Sequence, residues 1–292
     1  MVFNAFEQTE INTGLVKIRA RIGGHGPPLL LLHGNPQTHW MWHRVAPILA
    51  PHYTVVATDL TGYGRSGKPP STADHAHYSK RSMARDQIAV MKKLGHSSFM
   101  VAGHDRGGRV GYRMALDAPE VVTRLAVLDV IPTAEAFARG GREFGMGYYH
   151  WFFLAQPAPL PERLIGADPE WFWRWHTSRG QGDIFAPEAI ADYLSCFQNP
   201  ETIRAICEDY RAGASIDCDH DETDQKSGRR IACPLLVLWG AKARLEQWYD
   251  TLALWRDWAG DVRGRALNCG HYLAEEAPQE TAAELQAFFS GT

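Results

Sequence analysis

The sequence predicts an α/β fold: a mostly parallel sheet flanked by helices, with a helical insertion near its middle. Three observations point there. Short, continuous apolar runs alternate with amphipathic stretches through the first part of the chain, the rhythm of βαβ units. That rhythm stops after Asp129-Val130-Ile131-Pro132 and resumes at Cys233-Pro234-Leu235-Leu236. Between the two lie roughly a hundred residues rich in Trp, Phe, Tyr and Pro with no strand pattern, as expected of inserted helices.

Taken in order, residues 15–20 alternate polar and apolar like an early antiparallel strand. Residues 28–32, 54–58, 98–102 and 124–128 are continuous in Leu, Val and Ala, as strands of a parallel sheet buried on both faces must be. Residues 79–94 and 108–117 read as helices between them. A strand at 233–240, a short one at 262–267 and a closing helix at 278–289 complete the pattern. The predicted organisation is a core of residues 1–132 and 229–292 with a helical cap at 133–228.

Composition narrows the function. At 292 residues and 45% hydrophobic content the chain can build one large domain with an insertion. A net charge of −3 implies neither a nucleic acid nor a membrane partner. The five cysteines are odd in number and scattered, which suits reduced thiols. The first residues lack the basic start and apolar run of a secretory signal, so a cytoplasmic protein is expected.

The most informative segment is Gly103-His104-Asp105-Arg106-Gly107, which follows an apolar strand and opens a helix. A strand, a glycine-bracketed turn and a helix form the nucleophile elbow of α/β-hydrolases, where G-x-S-x-G is usual. Here aspartate stands in place of serine. A carboxylate that attacked acyl carbon would form an anhydride. One that attacks saturated carbon displaces a leaving group and becomes an alkyl ester, which an activated water can cleave. Asp105 therefore points to carbon–halogen or epoxide substrates. The competing reading, a plain helix N-cap, weakens once its partners are found.

Those partners follow in the expected order of nucleophile, acid and histidine. Among 13 histidines, His271 alone follows the last strand, in Asn268-Cys269-Gly270-His271. The usual acid position after the next-to-last strand reads Trp239-Gly240-Ala241-Lys242-Ala243-Arg244, without aspartate, and Glu246 falls on a following helix. Asp129, at the end of the strand after the elbow, becomes the acid that orients His271. The turn Leu32-His33-Gly34-Asn35-Pro36 would supply one backbone N–H of an oxyanion hole, from Asn35, and Arg106 the other. His33 itself reads as a structural turn residue. Arg106 and Arg109 lie one helical turn apart beside the nucleophile, and two guanidiniums there call for a substrate carboxylate.

With these features the chain resembles fluoroacetate (haloacetate) dehalogenases of the α/β-hydrolase superfamily, nearly end to end. The likeness runs through HGNPQTHWMWHRVAP, DLTGYGRSGKP, GHDRGGRVGYRMALDAP, LAVLDVIPT, YYHWFFLAQPAPLPE, CEDYRAGASID and GHYLAEEAP. It implies an α/β-hydrolase core with an inserted helical cap. It further implies Asp105 as nucleophile, His271 as base, Asp129 as its partner, and Arg106 and Arg109 as carboxylate ligands. His150, Trp151 and Tyr210 would form the halide pocket, supplying an imidazole N–H, an indole N–H and a phenol O–H to a small leaving anion. The implied reaction turns fluoroacetate into glycolate and fluoride. Its partners are a small haloacid and water, with no cofactor and no metal, and the expected assembly is a homodimer. The likeness departs at Asn35, where many of these dehalogenases carry Phe and where haloalkane dehalogenases use Asn to hold halide. The aromatic run Trp171-Phe172-Trp173-Arg174-Trp175-His176-Thr177 does not assign its own pocket residues.

Other readings stay open. A relative favouring chloroacetate or bromoacetate, or an epoxide hydrolase using cap tyrosines, would share the aspartate. His39 and His43 have a metal-like spacing without a third ligand. Cys218-Asp219-His220-Asp221 reads as a polar loop, and Gly62-x-Gly64-x-x-Gly67 as a turn-rich loop because it does not follow the first strand of a βαβ unit.

Overall fold

The computed structural model describes residues 3–178 and 184–291; residues 179–183 of the expected insertion lie outside the described residues. Eight strands form one sheet: β1 (Glu7–Asn12), β2 (Lys17–Gly24), β3 (Pro28–Leu32), β4 (Thr54–Thr58), β5 (Phe99–His104), β6 (Val122–Leu128), β7 (Leu235–Gly240) and β8 (Val262–Leu267). Their order is β1-β2-β4-β3-β5-β6-β7-β8. β1, β2 and β4 pair antiparallel, and every later pairing is parallel.

The apolar runs explain the parallel part. Leu29, Leu30, Leu31 and Leu32 of β3 are fully buried, and all of β5 is buried, because helices cover both faces of the sheet. β1 escapes the sequence reading for the opposite reason. Glu7-Gln8-Thr9-Glu10-Ile11-Asn12 is an edge strand with one buried side chain, so it carries almost no hydrophobic pattern.

From β3 the chain passes to β4 on one side and then to β5 on the other. β3 and β5 therefore flank a topological switch point, where open α/β sheets place their ligands beyond the carboxyl ends of the strands. Asn35 follows β3, Asp105 follows β5, Asp129 follows β6, Lys242 follows β7 and His271 follows β8. One end of the sheet gathers all five.

Between β6 and β7 the described chain forms eight helices and no strand. Four bear on the site: Tyr149–Leu154, Pro169–Ser178, Pro187–Phe197 and Pro200–Gly213. The segment expected as a polar loop at residues 218–221 is instead part of the helix Ile216–Ser227. Its acidic residues account for the difference: Asp221 and Asp224 are turned inward, not to solvent. Asp221 accepts from Tyr112 Oη at 2.7 Å and from Arg113 at 2.7 Å, and Asp224 also pairs with Arg113. The glycine-bearing segment 62–67 does form turns. All five cysteines are free thiols.

Candidate active site

The elbow is built by close approach and by a strained residue. Asp105 adopts φ 47° and ψ −113°, a conformation non-glycine residues rarely hold and one that costs about 1–3 kcal/mol. The turn is sharp enough to need glycine at position 107: an added Cβ there would sit 2.5 Å from the Leu32 carbonyl oxygen and 2.6 Å from that of His33. The Asp105 backbone is tied at both ends, its N–H to the Leu128 carbonyl and its carbonyl to the Arg109 N–H, both at 3.1 Å. The helix Arg106–Asp117 begins at once, so its first N–H groups and positive dipole end lie beside the carboxylate.

The Asn35 backbone N–H donates to Asp105 Oδ1 at 2.8 Å. Gly34 allows this approach, since a Cβ on it would lie 2.5 Å from that of Asp105. Burial pushes the Asp105 carboxyl up, but the neighbouring His271, Arg106 and Arg109 outweigh it and bring it down to about 2. The carboxylate is thus ionised at neutral pH.

His271 Nδ1 donates to Asp129 Oδ2 at 2.5 Å, and Asp129 Oδ1 accepts from the Gly240 N–H at 3.0 Å. Asp129, like Asp105, has a positive φ, 49°. Glu246, the competing acid, bonds the Trp239 indole instead. His104, to which the sequence assigns no role, donates from Nε2 to the His271 carbonyl at 2.8 Å, its ring 4.5 Å from that of His271. Burial, reinforced by His271, lowers His104 to about 3, so it stays neutral and serves as a fixed donor. His33 is also a fixed turn element: its Nε2 accepts from the Leu60 N–H at 3.0 Å, and Nδ1 donates to the Gly34 carbonyl at 2.9 Å.

The two arginines occupy different places. Arg109 lines the pocket, with its Nη1 held by the Ile131 carbonyl at 2.9 Å and Thr133 Oγ1 at 3.1 Å, and its guanidinium 4.5 Å from the Trp151 ring centre. Arg106 is buried behind the lining. Its guanidinium lies 3.5 Å from the Tyr210 ring centre, and Nε is 3.1 Å from Asp209 Oδ2. Its Nη1 and Nη2 have no hydrogen-bond partner among the described residues. Burial alone would lower Arg106, but Asp209, Tyr210 and Tyr63 raise it; Arg109 is lowered by burial and by Arg106.

The helical segment supplies the far wall. His150, Trp151 and Tyr210 all line the same cavity, with Tyr210 centred 5.8 Å from the His150 ring and 6.4 Å from that of Trp151. The cavity has a volume of about 320 Å³. It brings together Asp105, Asp129, His271, Arg109, Asn35 and the three aromatic residues. A larger, more open groove of about 650 Å³, bordered by Arg139, Phe144 and Trp248, contains none of them.

Several lining residues are not evident from sequence. His176 sits 3.3 Å from the Asn35 amide through Nε2 and 4.6 Å from His150, ring to ring. It comes from the aromatic run that gives no assignment, where its neighbours hide it. Tyr148 precedes the His150-Trp151 pair and is legible only as part of that motif. Lys242 stands on the loop after β7 and Arg244 opens the helix Arg244–Trp248 that follows, a segment whose expected contribution is an acid. His39 and His43, the metal-like pair, are engaged apart: His39 Nδ1 with Asp59 at 2.7 Å, and His43 Nδ1 with the Trp40 carbonyl at 2.9 Å.

Comparison with known proteins agrees with this geometry. The alpha/beta hydrolase fold family profile matches residues 27–278. The chain is 44% identical to a fluoroacetate dehalogenase of Burkholderia sp, over 99% of this chain and 95% of that protein. It is 33% identical to a soluble epoxide hydrolase of Corynebacterium sp. (strain C12), over 91% of each. Among solved structures, an alpha/beta hydrolase from Nostoc sp PCC 7120 superposes with a TM-score of 0.97 at 52% identity, covering 99% of this chain and 100% of that one. The elbow, the sheet order and these matches together make the chain a member of the alpha/beta hydrolase fold family.

Proposed function

We propose that this protein is a hydrolytic dehalogenase of small 2-halo carboxylates, converting fluoroacetate and water to glycolate, fluoride and a proton. The observation that carries the reading is an ionised aspartate, not a serine, at the elbow of a cavity that Arg109 also lines. Similarity to the Burkholderia dehalogenase supports it over nearly the full chain.

In this reading residues 1–132 and 229–292 form the catalytic core and 133–228 the cap. Arg109, with the unpartnered Nη1 and Nη2 of Arg106, draws in the substrate carboxylate. Oδ1 of Asp105 is already held by Asn35, so Oδ2 attacks the α-carbon in line. The carbon–halogen bond breaks and halide leaves with the bonding pair, accepting hydrogen bonds from His150, Trp151 and Tyr210. His271 then takes a proton from water as the hydroxide attacks Cγ of the Asp105 ester. The oxyanion forms on Oδ1, facing the Asn35 and Arg106 backbone N–H groups. Asp129 stabilises the imidazolium, which returns its proton to the departing glycolate oxygen. The regenerated acid loses its proton because its neighbours favour the carboxylate. A cytoplasmic homodimer is the accompanying expectation for the assembly.

The test is a His271→Asn variant given bromoacetate. Release of one bromide per site, with a carboxymethyl mass increment on the peptide containing Asp105, is expected; full turnover without the increment would contradict the ester. One observation favours a second reading. Tyr148 and Tyr210 both line the cavity, and paired phenols can protonate an epoxide oxygen. Two guanidiniums offer an uncharged epoxide little, so styrene oxide turnover without halide release from any haloacetate is what would favour this alternative.

A further inference from the structure

The elbow arginine buried behind the cavity lining is held by a buried chain of charges. Asp209 is fully buried and lies on the helix Pro200–Gly213, next to Tyr210. Its Oδ2 is 3.1 Å from Arg106 Nε and accepts from Tyr63 Oη at 2.6 Å, while Oδ1 pairs with the buried Lys80. Lys80 is fixed in turn by Asp217, through Nζ at 3.0 Å and its backbone N–H at 2.8 Å. Arg106, Tyr63 and Lys80 precede the helical insertion in sequence; Asp209, Tyr210 and Asp217 belong to it.

So many buried charges are weak evidence of net stability, because desolvation offsets their attraction. What the chain does is fix one guanidinium in one place. Arg106 rests 3.5 Å from the Tyr210 ring centre, well inside the range of a cation–π contact. A cation against a phenol ring withdraws electron density and makes its O–H a stronger donor. Without a carboxylate at position 209, the guanidinium would lose its ion-pair partner on that helix.

We propose that Asp209, braced by Lys80, is a positioning residue that keeps the Arg106 cation against Tyr210 and so strengthens the phenol as a donor to departing fluoride. Asp209 does not touch substrate; it acts through Arg106 and Tyr210. The proposal rests on the dehalogenase reading. It makes a demand that reading alone does not. Fluoride, with its charge on a small atom, needs strong donors far more than bromide does, so losing Asp209 must change halide preference and not only overall rate.

The experiment compares fluoroacetate and bromoacetate in wild type, Asp209→Asn, Tyr210→Phe and the double variant. Failure of the wild type to release halide from either substrate would defeat the dehalogenase reading itself. Given wild-type turnover, Asp209→Asn should lower kcat/KM about tenfold more for fluoroacetate than for bromoacetate, the size expected when an anion donor weakens. In the double variant the change in the fluoride-to-bromide ratio should not exceed that of Tyr210→Phe alone, since both act on one donor. An equal loss for both halides, or additive changes in the ratio, would overturn the proposal. If Asp209→Asn does not fold, Asp209→Glu and Lys80→Gln provide the same ratio: it must shift toward bromide in both, and an unchanged ratio in either rejects the idea.

Discussion

The two walls of the cavity are made in different ways. The sheet side presents groups at strand ends: the Asn35 N–H, the Asp105 carboxylate, Asp129 and His271, each fixed by backbone hydrogen bonds or a strained dihedral. The helical side presents aromatic edges, fixed by ring packing and by buried ion pairs to the rest of the chain. The first wall depends on backbone geometry that tolerates almost no added atom. The second depends on side chains that can be exchanged with graded effects. In the proposed reaction, chemistry that needs a defined trajectory falls to the first, and recognition of the leaving group to the second.

The sharpest way to break this contrast is to perturb each wall by one small group. Gly107→Ala forces a Cβ within 2.6 Å of two carbonyl oxygens. We expect a loss of at least about 3 kcal/mol in chemical denaturation, or no folded protein. Where the elbow helix meets the helical side, Arg109→Met removes a cavity-lining cation that packs on Trp151. It should lower kcat/KM for fluoroacetate about a hundredfold, mostly through KM, because substrate and transition state share that carboxylate contact.

A subtler test lies where the walls meet. Glu275 accepts from Tyr193 Oη of the helical insertion at 2.5 Å and from Gln37 at 3.5 Å. Burial raises its carboxyl to about 7, against the Tyr193 hydrogen bond and the charge of Arg44. The folded protein therefore holds this proton more tightly than the unfolded chain does. The resulting stability is full below the ordinary glutamate range and is lost as pH rises to about 7. Glu275→Gln keeps an acceptor for Tyr193 without titrating. Its Tm should fall less than that of the wild type between about pH 5 and pH 8, by a few degrees; parallel curves would show that the proton is not held there. At the small end, Trp171→Ala removes an indole that is 60% exposed. Its effect on stability should stay within about 0.5 kcal/mol, and turnover should not change.

The contrast also explains which parts of the fold and of the site are legible in the amino-acid sequence. Strands β3 to β7 are readable because a parallel sheet demands continuous apolar runs, and Asp105, Asp129 and His271 because the roles proposed for them belong at strand ends. Edge strand β1 is not, since its side chains face water. The inward-facing acids of Ile216–Ser227 look like a loop because partners such as Arg113 are over a hundred residues away in sequence. His176 and His104 are invisible for the same reason: their significance lies in Asn35 and His271, which only the fold brings near. His150, Trp151 and Tyr210 are assigned by resemblance alone, as helical periodicity would put them in the core.

The most direct measurement is a single turnover of fluoroacetate in 18O-labelled water with enzyme in excess. If the Asp105 ester forms and water attacks its carbonyl, the first glycolate carries unlabelled oxygen and the label appears in the Asp105 carboxylate. Label in the first glycolate, with none in the protein, would mean that water attacks carbon directly, and the covalent role of Asp105 would be lost.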